Sequence, residues 1–371
     1  MRVSLVDPSA FTPPYDHALA AALARGGVVV ELITSRFAHG PVPSADGYAV
    51  NELFYRRAAG FGPRSRARGA VKLAEHVPGM LRLRAATRRA DLVHLQWLDL
   101  PQIDRALLPP RRPRVLTAHD VLPREPRPGQ IAATRRLLRA MDAVIVHSEH
   151  GAARLRQEVG LTPEAIRVVP HGAFDYLTRQ PEEAPLPPEL AAVEGPVILL
   201  FGLLRPYKGV DILLEAFREI EGAELWIVGM PRMPLEPLRE LAARARGTVR
   251  FVPRFVTDPE IPAYMRRADL VVLPYREIDQ SGVLYAALAF ARALVLSGVG
   301  GFVEVAERHG AAELVPPGDP AALAEALSRL LADPRRRIEL GAAAARAAAG
   351  PYSWDSVARA TIAVYEELLG R

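Results

Sequence analysis

The chain alternates short apolar runs with amphipathic stretches, and this alternation constrains the fold more than any other feature. In the first half, apolar runs that end in turn residues predict strands at 2–6, 28–34, 91–95, 114–117, 143–147 and 166–169. In the second half the same pattern predicts strands at 197–201, 224–228, 249–252, 270–273, 294–296 and 313–315. Short apolar runs separated by helical patterns are typical of parallel sheets covered on both faces. The sequence therefore predicts an α/β protein with two doubly wound, Rossmann-like domains.

A Pro-rich, acidic segment at 177–195 interrupts the alternation and predicts a linker between the domains. We accordingly expect an N-terminal domain at 1–180 and a C-terminal domain at 196–353. A last amphipathic helix is predicted over 354–369, with Ser353 as its N-cap, and residues 354–371 are treated as a separate segment. The length of 371 residues and the 50% hydrophobic content suffice for two cores.

Composition excludes several classes of protein. The chain has no cysteine, so disulfides, thiolate metal sites and cysteine nucleophiles are excluded. No apolar run reaches the ~20 residues that a membrane span needs, and the chain enters a strand at once without a signal-peptide pattern, so we expect a cytoplasmic protein. The net charge of +5 suits an anionic small ligand or a membrane surface. With only 6% aromatic residues, a nucleic-acid-binding surface is not expected.

The turn after the strand at 197–201 carries Arg205 and Lys208 between two glycines. A turn from a strand into a helix presents backbone N–H groups and the positive end of the helix dipole, which together favour an anion. Of the 47 basic residues only Lys72 and Lys208 are lysines. Because arginine and lysine are not interchangeable around a phosphate, we interpret Lys208 as a phosphate ligand. The alternative is that it is a lysine without a special role.

Polar side chains follow the predicted strands in both halves, at the sheet edge where parallel α/β folds bind ligands. In the first half these residues are His94, Trp97, His119, Asp120, His147 and His171. A single histidine is more often structural than catalytic, so we expect one or two of them to take part in chemistry.

Several motifs resemble those of the family 4 retaining glycosyltransferases, which have the GT-B architecture. The resemblance spans nearly the whole chain and rests on the order and spacing of 115–120 (VLTAHD), 144–148 (VIVHS), 168–172 (VVPHG), 201–211 (FGLLRPYKGVD), 268–275 (ADLVVLPY), 280–283 (QSGV), 300–302 (GGF) with Glu304, and 315–319 (VPPGD). It implies two Rossmann-like domains with an interdomain cleft, and a C-terminal helix that crosses back to the N-terminal domain.

The resemblance also implies substrates and roles. A nucleotide-diphosphate-sugar donor would bind mainly to the C-terminal domain and the acceptor mainly to the N-terminal one. Arg205 and Lys208 would hold the diphosphate and stabilise the charge that develops on it, with His119 beside the donor sugar. The sugar would be transferred with retention of anomeric configuration. The acceptor, whether a glycan, a lipid or a small molecule, is not identified by the sequence.

The expected donor contacts depart from the family pattern at one place. Relatives carry two glutamates that would fall at Ile278 and Ala286, whereas this chain has the variant Gln280-Ser-Gly-Val283. We expect Asp279 or Gln280 to contact sugar hydroxyls and the backbone of Gly282 and Val283 to approach the phosphates. The full set of predicted donor-binding residues is Asp120, Gly202, Gly229, Arg254, Phe255, Asp279, Gln280, Ser281, Gly282 and Val283.

Acceptor contacts are predicted at His17, Trp97 and His171. The turn before the first helix has Pro13-Pro14 where relatives often have Gly-Gly, so acceptor specificity cannot be transferred from the family. The sequence has no Asp-x-Asp pair, so we expect neither a metal nor another cofactor, with Arg205 and Lys208 supplying the positive charge. Two alternatives stay open: a non-catalytic nucleotide-sugar-binding scaffold, and a nucleotide-sugar epimerase on the same fold.

The segment from Arg56 to Arg89 is strongly basic, with ten Arg or Lys residues against the single acid Glu75. Apolar residues interleave these charges, as in helices that lie on anionic membranes. A solvated basic helix without a partner fits the same pattern. Peripheral contact with the inner face of a membrane is therefore one of two open interpretations.

Overall fold

The computed structural model describes residues 1–38, 40–62, 65–110 and 113–370. The chain divides into two compact units, which are described separately. The first unit comprises Met1–Gly172 together with Trp354–Arg371, and the second comprises Ala173–Ser353.

Over the described residues, the first unit contains seven strands and six α-helices. The strands are β1 (Arg2–Asp7), β2 (Val29–Ser35), β3 (Ala49–Phe54), β4 (Leu92–Leu95), β5 (Arg114–Thr117), β6 (Ala143–Val146) and β7 (Ile166–Val168). The helices are α1 (Pro13–Arg25), α2 (Arg66–Ala86), α3 (Pro101–Leu107), α4 (Gln130–Leu138), α5 (Glu149–Arg154), and the C-terminal helix α14 (Trp354–Leu369).

The second unit holds the remaining elements. Its strands are β8 (Val197–Phe201), β9 (Glu224–Val228), β10 (Thr248–Val252), β11 (Leu270–Leu273), β12 (Ala293–Ser297) and β13 (Ala312–Val315). Its helices are α6 (Pro188–Ala191), α7 (Val210–Phe217), α8 (Glu236–Ala242), α9 (Ile261–Arg267), α10 (Gly282–Ala289), α11 (Phe302–His309), α12 (Pro320–Ala332) and α13 (Pro334–Ala349).

Both sheets are parallel, and both reverse their strand order at one point. The order in the first is β3-β2-β1-β4-β5-β6-β7, and in the second it is β10-β9-β8-β11-β12-β13. Each sheet contains the Rossmann order 3-2-1-4-5-6, to which the first sheet adds β7 at its edge, and in this order ligands bind beyond the carboxyl ends of the strands at the reversal. The reversal lies between β1 and β4 in the first unit and between β8 and β11 in the second. The predicted α/β fold with two doubly wound sheets is confirmed.

Two features differ from the sequence-based expectation. The edge strand β3 was not predicted, because polar Asn51 and Glu52 interrupt its apolar pattern and it pairs only with β2. Residues 177–195, which we interpreted as a linker, belong to the second unit. Leu177 and Leu190 are each 2% exposed and pack into its core, since the apolar residues between the prolines suffice to anchor the segment.

Helix α14 belongs to the first unit and packs against α1. A Cβ on Gly26 would lie 2.5 Å from Ile362 Cδ1, so the glycine gives α14 room to pack closely against the end of α1. The Tyr365 hydroxyl lies 2.5 Å from His94 Nδ1, which ties the helix to the end of β4. Among the helices that the structure describes, none combines the length and apolar character needed to cross a membrane.

Candidate functional site

In the second unit, the turns after β8 and β9 are in contact through two glycines. Gly229 has φ +146°, and a Cβ there would lie 1.9 Å from Gly202 O. Gly202 has φ +105°, and its own Cβ would lie 2.9 Å from Lys208 Nζ and 3.0 Å from Val283 Cγ2. Four predicted donor-site residues from three separate segments therefore converge. The missing side chain at Gly229 lets the two turns meet, and the missing side chain at Gly202 leaves room for Lys208 and Val283.

Lys208 is only 5% exposed, which is unusual for a lysine. Its ammonium lies 5.0 Å from the ring centroid of Tyr275, which follows β11. Lys208 thus joins the ends of β8 and β11, the two strands that flank the reversal of the sheet. Arg205 is half-buried and precedes the 3-10 turn Pro206–Lys208. The sheet therefore places a strongly sequestered positive charge where Rossmann-like sheets bind ligands.

The segment 278–283, which carries the Gln-Ser-Gly-Val motif, packs on the glycine turn after β12. A Cβ on Gly300 would lie 1.7 Å from Ile278 O, and Gly301 N donates to Asp279 O at 3.3 Å. Gln280 accepts a hydrogen bond from the Tyr285 hydroxyl at 2.9 Å. Ile278 and Ala286, where relatives carry glutamates, are both buried, at 6% exposure each. Their apolar side chains complete the core at this place.

Other predicted donor residues are also located. Asp279 and Ser281 are buried, and Ser281 Oγ lies 3.4 Å from the Tyr275 hydroxyl. Gly282 begins α10, against the Phe174 ring. Arg254 forms an ion pair with Glu260 at 2.6 Å, while the Phe255 side chain is 43% exposed. These two residues lie on the segment after β10.

In the first unit, a cluster of aromatic rings surrounds Tyr15, the third residue of α1. The Tyr15 ring centroid lies within 5.5 Å of four other centroids, at 4.8 Å from His119, 5.5 Å from His147, 4.8 Å from His171 and 5.1 Å from Trp354. The histidines follow three neighbouring strands, β5, β6 and β7. The predicted residues His119 and His171 are therefore brought together, around a tyrosine that the sequence did not indicate.

A chain of hydrogen bonds connects these histidines. The contact of His147 with a backbone carbonyl determines which nitrogen donates and which accepts at each step. His147 Nδ1 lies 3.0 Å from Val169 O, a carbonyl that can only accept, so Nδ1 donates its proton there. The other nitrogen of neutral His147 accepts from His119 Nδ1, 3.3 Å away. His119 Nε2 is then an acceptor as well, and it lies 3.1 Å from the Gln96 side-chain amide.

Gln96 continues the hydrogen-bond chain from His119 to His94. Gln96 Oε1 lies 3.1 Å from His119 Nε2, and Gln96 Nε2 lies 3.2 Å from His94 Nε2. Because a carbonyl oxygen cannot donate to the acceptor nitrogen of His119, we assign the amide with its oxygen and nitrogen exchanged, so that the NH2 group faces His119 and the oxygen faces His94. His94 Nδ1 then accepts from the Tyr365 hydroxyl, 2.5 Å away, and Thr117 Oγ1 lies 2.7 Å from His94 Nε2. Both nitrogens of His119 are thus engaged, which holds the ring in one orientation.

The pKa values of these histidines are lowered, which agrees with their being neutral. Burial among other rings lowers the pKa of His119 and His171 well below the ordinary value, and neighbouring histidines lower both further. Burial also lowers the pKa of His147 to about 4 and of His94 to about 3. At neutral pH these rings therefore donate and accept hydrogen bonds and position neighbouring groups, but they do not carry charge.

Trp97 stacks on His119, with ring centroids 4.9 Å apart and planes 13° from parallel. Its Nε1 donates to Thr12 Oγ1 at 2.9 Å, and the Phe11 ring lies 5.3 Å away. Asp7 fixes this turn, because its Oδ2 accepts from Phe11 N at 2.6 Å and from Thr12 N at 3.3 Å. The turn after β1 therefore meets the end of β4 at the reversal of the first sheet.

Two other predicted residues of the first unit have separate environments. His17 is buried on α1 with its Nδ1 2.6 Å from the Tyr48 hydroxyl, and burial lowers its pKa to about 4. Asp120 pairs with Arg124 at 2.5 Å. Tyr15 and Gln96 were missed by the sequence reasoning. Their sequence signal is slight, although Gln96 directly follows β4 and Tyr15 follows the Pro-Pro turn that departs from the family pattern.

A cavity of about 160 Å³ adjoins His119 and Trp97 within the first unit. It extends from the ends of β4 and β5 to α3 and α4, reaching Pro101, Leu116 and Leu138. A larger depression of about 550 Å³ in the second unit is lined by Gly195, Gly222 and Thr248. Those residues precede or begin strands β8, β9 and β10, so this depression lies at the sheet edge opposite to the Lys208 turn.

Comparisons with known proteins agree with this arrangement. Residues 15–173 match the family model described as Glycosyltransferase Family 4, and residues 195–333 match the one described as Glycosyl transferases group 1. A D-inositol 3-phosphate glycosyltransferase of Kineococcus radiotolerans is 28% identical over 393 residues, covering 94% of this chain and 88% of the relative. D-inositol 3-phosphate glycosyltransferase 1 of Catenulispora acidiphila is 30% identical over 337 residues, covering 83% and 79%.

Solved structures share the fold. Sucrose-phosphate synthase from Thermosynechococcus elongatus aligns with a TM-score of 0.77 at 22% identity, covering 100% of this chain and 99% of that one. Anabaena HepE in complex with UDP-glucose aligns with a TM-score of 0.74 at 19% identity, covering 99% and 100%.

Proposed function

The chain belongs to glycosyltransferase family 4 and is a glycosyltransferase, and on that premise we propose that it transfers a sugar from a nucleotide-diphosphate-sugar to an acceptor hydroxyl with retention of configuration. The observation that carries the proposal is the burial of Lys208 at the reversal of the second sheet, beside Gly202 and Val283. Relatives and structural neighbours act on phosphorylated substrates or bind UDP-glucose, in the words of their names.

In the proposed reaction the bond between the sugar C1 and the diphosphate oxygen breaks. Negative charge develops on the diphosphate, where Arg205 and Lys208 stabilise it more strongly in the transition state than in the ground state. The acceptor oxygen bonds to C1 on the face that the diphosphate leaves. The leaving phosphate oxygen takes the acceptor proton, so no protein carboxylate is needed as a base.

We propose that the reaction is independent of a metal and of other cofactors. The second unit supplies positive charge to the diphosphate through Arg205 and Lys208, and the start of α10 at Gly282 adds the positive end of a helix dipole. These groups occupy the role that a cation bound to an Asp-x-Asp pair has in other transferases.

The acceptor is proposed to bind to the first unit beside His119. Because His119 is neutral and held at both nitrogens, we assign it a positioning role through the face and edge of its ring. Trp97, stacked on His119, and His171, packed on Tyr15, are the proposed acceptor contacts. His17 is kept as a further candidate, although its hydrogen-bonding neighbour is Tyr48.

Thermal unfolding with UDP-, GDP- and ADP-sugars, each with and without EDTA, tests the donor. A bound donor stabilises the folded state by ~2.7 kcal/mol at a hundredfold excess over its dissociation constant. We expect one nucleotide class to raise Tm and the shift to survive EDTA. A shift that EDTA abolishes would contradict metal independence, and no shift with any donor would contradict the proposed donor class.

Product analysis then separates the function from its alternatives. Release of free nucleotide, with a product whose anomeric proton coupling matches that of the donor, is the expected result. Binding without nucleotide release would indicate a scaffold, and conversion of the donor to another sugar without acceptor would indicate an epimerase. An inverted anomeric configuration would contradict retention while leaving glycosyl transfer intact.

We also propose that α2 rests on the inner, anionic face of a membrane. Leu73, Val77 and Leu81 are 60%, 40% and 50% exposed and follow one another at four-residue spacing, so they form one exposed apolar line. Arg66 and Arg84, eighteen residues or five turns apart, lie on the same side of the helix at its two ends. An apolar line with basic ends suits an anionic lipid surface.

Vesicle flotation tests this contact. We expect binding to vesicles that contain phosphatidylserine and none to pure phosphatidylcholine. Neutralising Arg82, Arg84, Arg88 and Arg89 should weaken binding, and so should Leu73→Ser with Leu81→Ser. If the unmodified protein does not float with anionic vesicles, α2 is only a solvated basic helix.

A further inference from the structure

We propose that the cavity beside His119 binds a compact apolar group of the acceptor, about the size of a benzene ring. This inference rests on the proposed function, because it assigns a substrate class to the same acceptor site. It commits to an acceptor in which the glycosylated hydroxyl is attached to, or lies next to, a small apolar ring.

The cavity is part of the acceptor region by position. Trp97 and His119, which stack on each other, both line it, and so does Gln96, which holds His119 by a hydrogen bond. A group in the cavity would therefore touch the same ring that the hydrogen-bond chain keeps in one orientation. Its attached hydroxyl would lie beside His119.

The lining is mixed, with an apolar part formed by the buried residues Leu116, Leu137 and Leu138, which are 6%, 3% and 1% exposed. The buried polar residues Gln96 and Thr117 also line the cavity, but their side chains hydrogen-bond to His119 and His94. His119 and Asp120 are partly exposed and lie toward the surface. The charge of Asp120 is paired with Arg124 at 2.5 Å, which reduces the penalty for an apolar group that passes it. The cavity thus matches an amphiphile that enters with its apolar side first.

The volume of the cavity limits which apolar groups can bind in it. The cavity measures about 160 Å³, and an engineered protein cavity of roughly 150 Å³ with aliphatic and aromatic walls binds benzene. A phenyl or cyclohexyl group fits such a volume, whereas a long acyl chain exceeds it. The occupant is therefore a ring-sized group and not a lipid tail.

Fluorine NMR with para-fluorophenol as the probe tests the cavity directly. We expect a saturable shift with the unmodified protein. Thr134→Phe, on the lining face of α4, should fill the cavity and weaken binding at least ~tenfold. Ala132→Phe is the matched control, because Ala132 is exposed on the same helix and should leave binding unchanged. Gln130→Phe provides a second filling variant if Thr134→Phe does not fold.

Nucleotide release connects the cavity to the acceptor. With a donor present, para-fluorophenol should change the rate of release at least ~twofold in the unmodified protein and in Ala132→Phe, but not in Thr134→Phe. Absence of saturable binding, or equal binding by Thr134→Phe, would overturn the cavity assignment. Binding without any effect on release would overturn the assignment to the acceptor. The NMR titration with para-fluorophenol needs no donor, so it tests the cavity on its own. If no nucleotide-sugar donor binds to the protein, that result refutes the proposed function and not the cavity.

Discussion

Acidification should destabilise the first unit because its buried histidines resist protonation. The contribution of one of them, His94, can be measured separately. Burial lowers the pKa of His94 to about 3 in the folded protein, against ~6.5 in an unfolded chain. Below pH 6.5 the unfolded chain takes up a proton that the folded unit refuses. Proton uptake therefore lowers the free energy of the unfolded state relative to the folded state as pH falls, and the free energy of unfolding decreases.

The two pKa values give the magnitude. Between pH 7 and pH 5, His94 alone should remove ~2 kcal/mol of unfolding free energy. His147, whose pKa is about 4, adds nearly as much, and His119 and His171 act in the same direction. Asp16 opposes them, because burial and the adjacent Asp7 raise its pKa well above the ordinary value and the folded unit then binds the extra proton.

The variant His94→Gln isolates one contribution, since glutamine keeps a donor and an acceptor but does not titrate. Trp97 and Trp354 lie in the first unit and Trp226 in the second, so a Trp226→Phe background makes fluorescence report the first unit alone. Urea unfolding at pH 7 and pH 5 gives the loss in each protein. We expect the loss to be ~2 kcal/mol smaller in His94→Gln, whatever its stability at pH 7. A difference below ~0.5 kcal/mol would refute the neutral, buried state of His94.

Further predictions concern the second unit. Lys208→Met and Arg205→Ala should each reduce nucleotide release at least ~100-fold, because each removes a preorganised positive charge; near-normal rates in both would remove the phosphate-site argument. Gly229→Ala should destabilise the unit by roughly 3 kcal/mol, since its Cβ would overlap Gly202 O. Gly222→Ala, also at positive φ but with open space around it, is the control and should cost less in thermal unfolding. Asp319→Ala should cost ~1 kcal/mol by removing the side-chain cap of α12, and Asp319→Asn should restore it; equal stability of both would contradict the cap.

The sequence predicted the strands well where an apolar run is bounded by turn residues. Strands β5, β8, β9 and β11 have the bounds that the pattern gave. The edge strand β3 was missed because an edge strand needs less apolar surface, and Asn51 and Glu52 hide its periodicity. Whether a segment forms a helix or a strand follows here from its own residues. Whether a strand lies at the edge of the sheet depends on how the other strands pair.

The candidate site was predictable as a set of residues but not as an arrangement. Strand ends identified His119, His147 and His171, because parallel strands bring their carboxyl ends to one edge. Nothing in the sequence placed Tyr15 among them, since that contact depends on the angle at which α1 leaves the Pro-Pro turn.

The sequence alone determined the two doubly wound sheets, the family and the basic turn with Arg205 and Lys208, because periodicity and motif spacing are properties of a linear chain. Only the tertiary structure decided which side chains meet. The burial of Lys208 against Tyr275 joins residues that are far apart in sequence, as do the hydrogen bonds from Tyr365 to His147. Those contacts set charge, protonation and cavity size, which arise only when separate segments pack together.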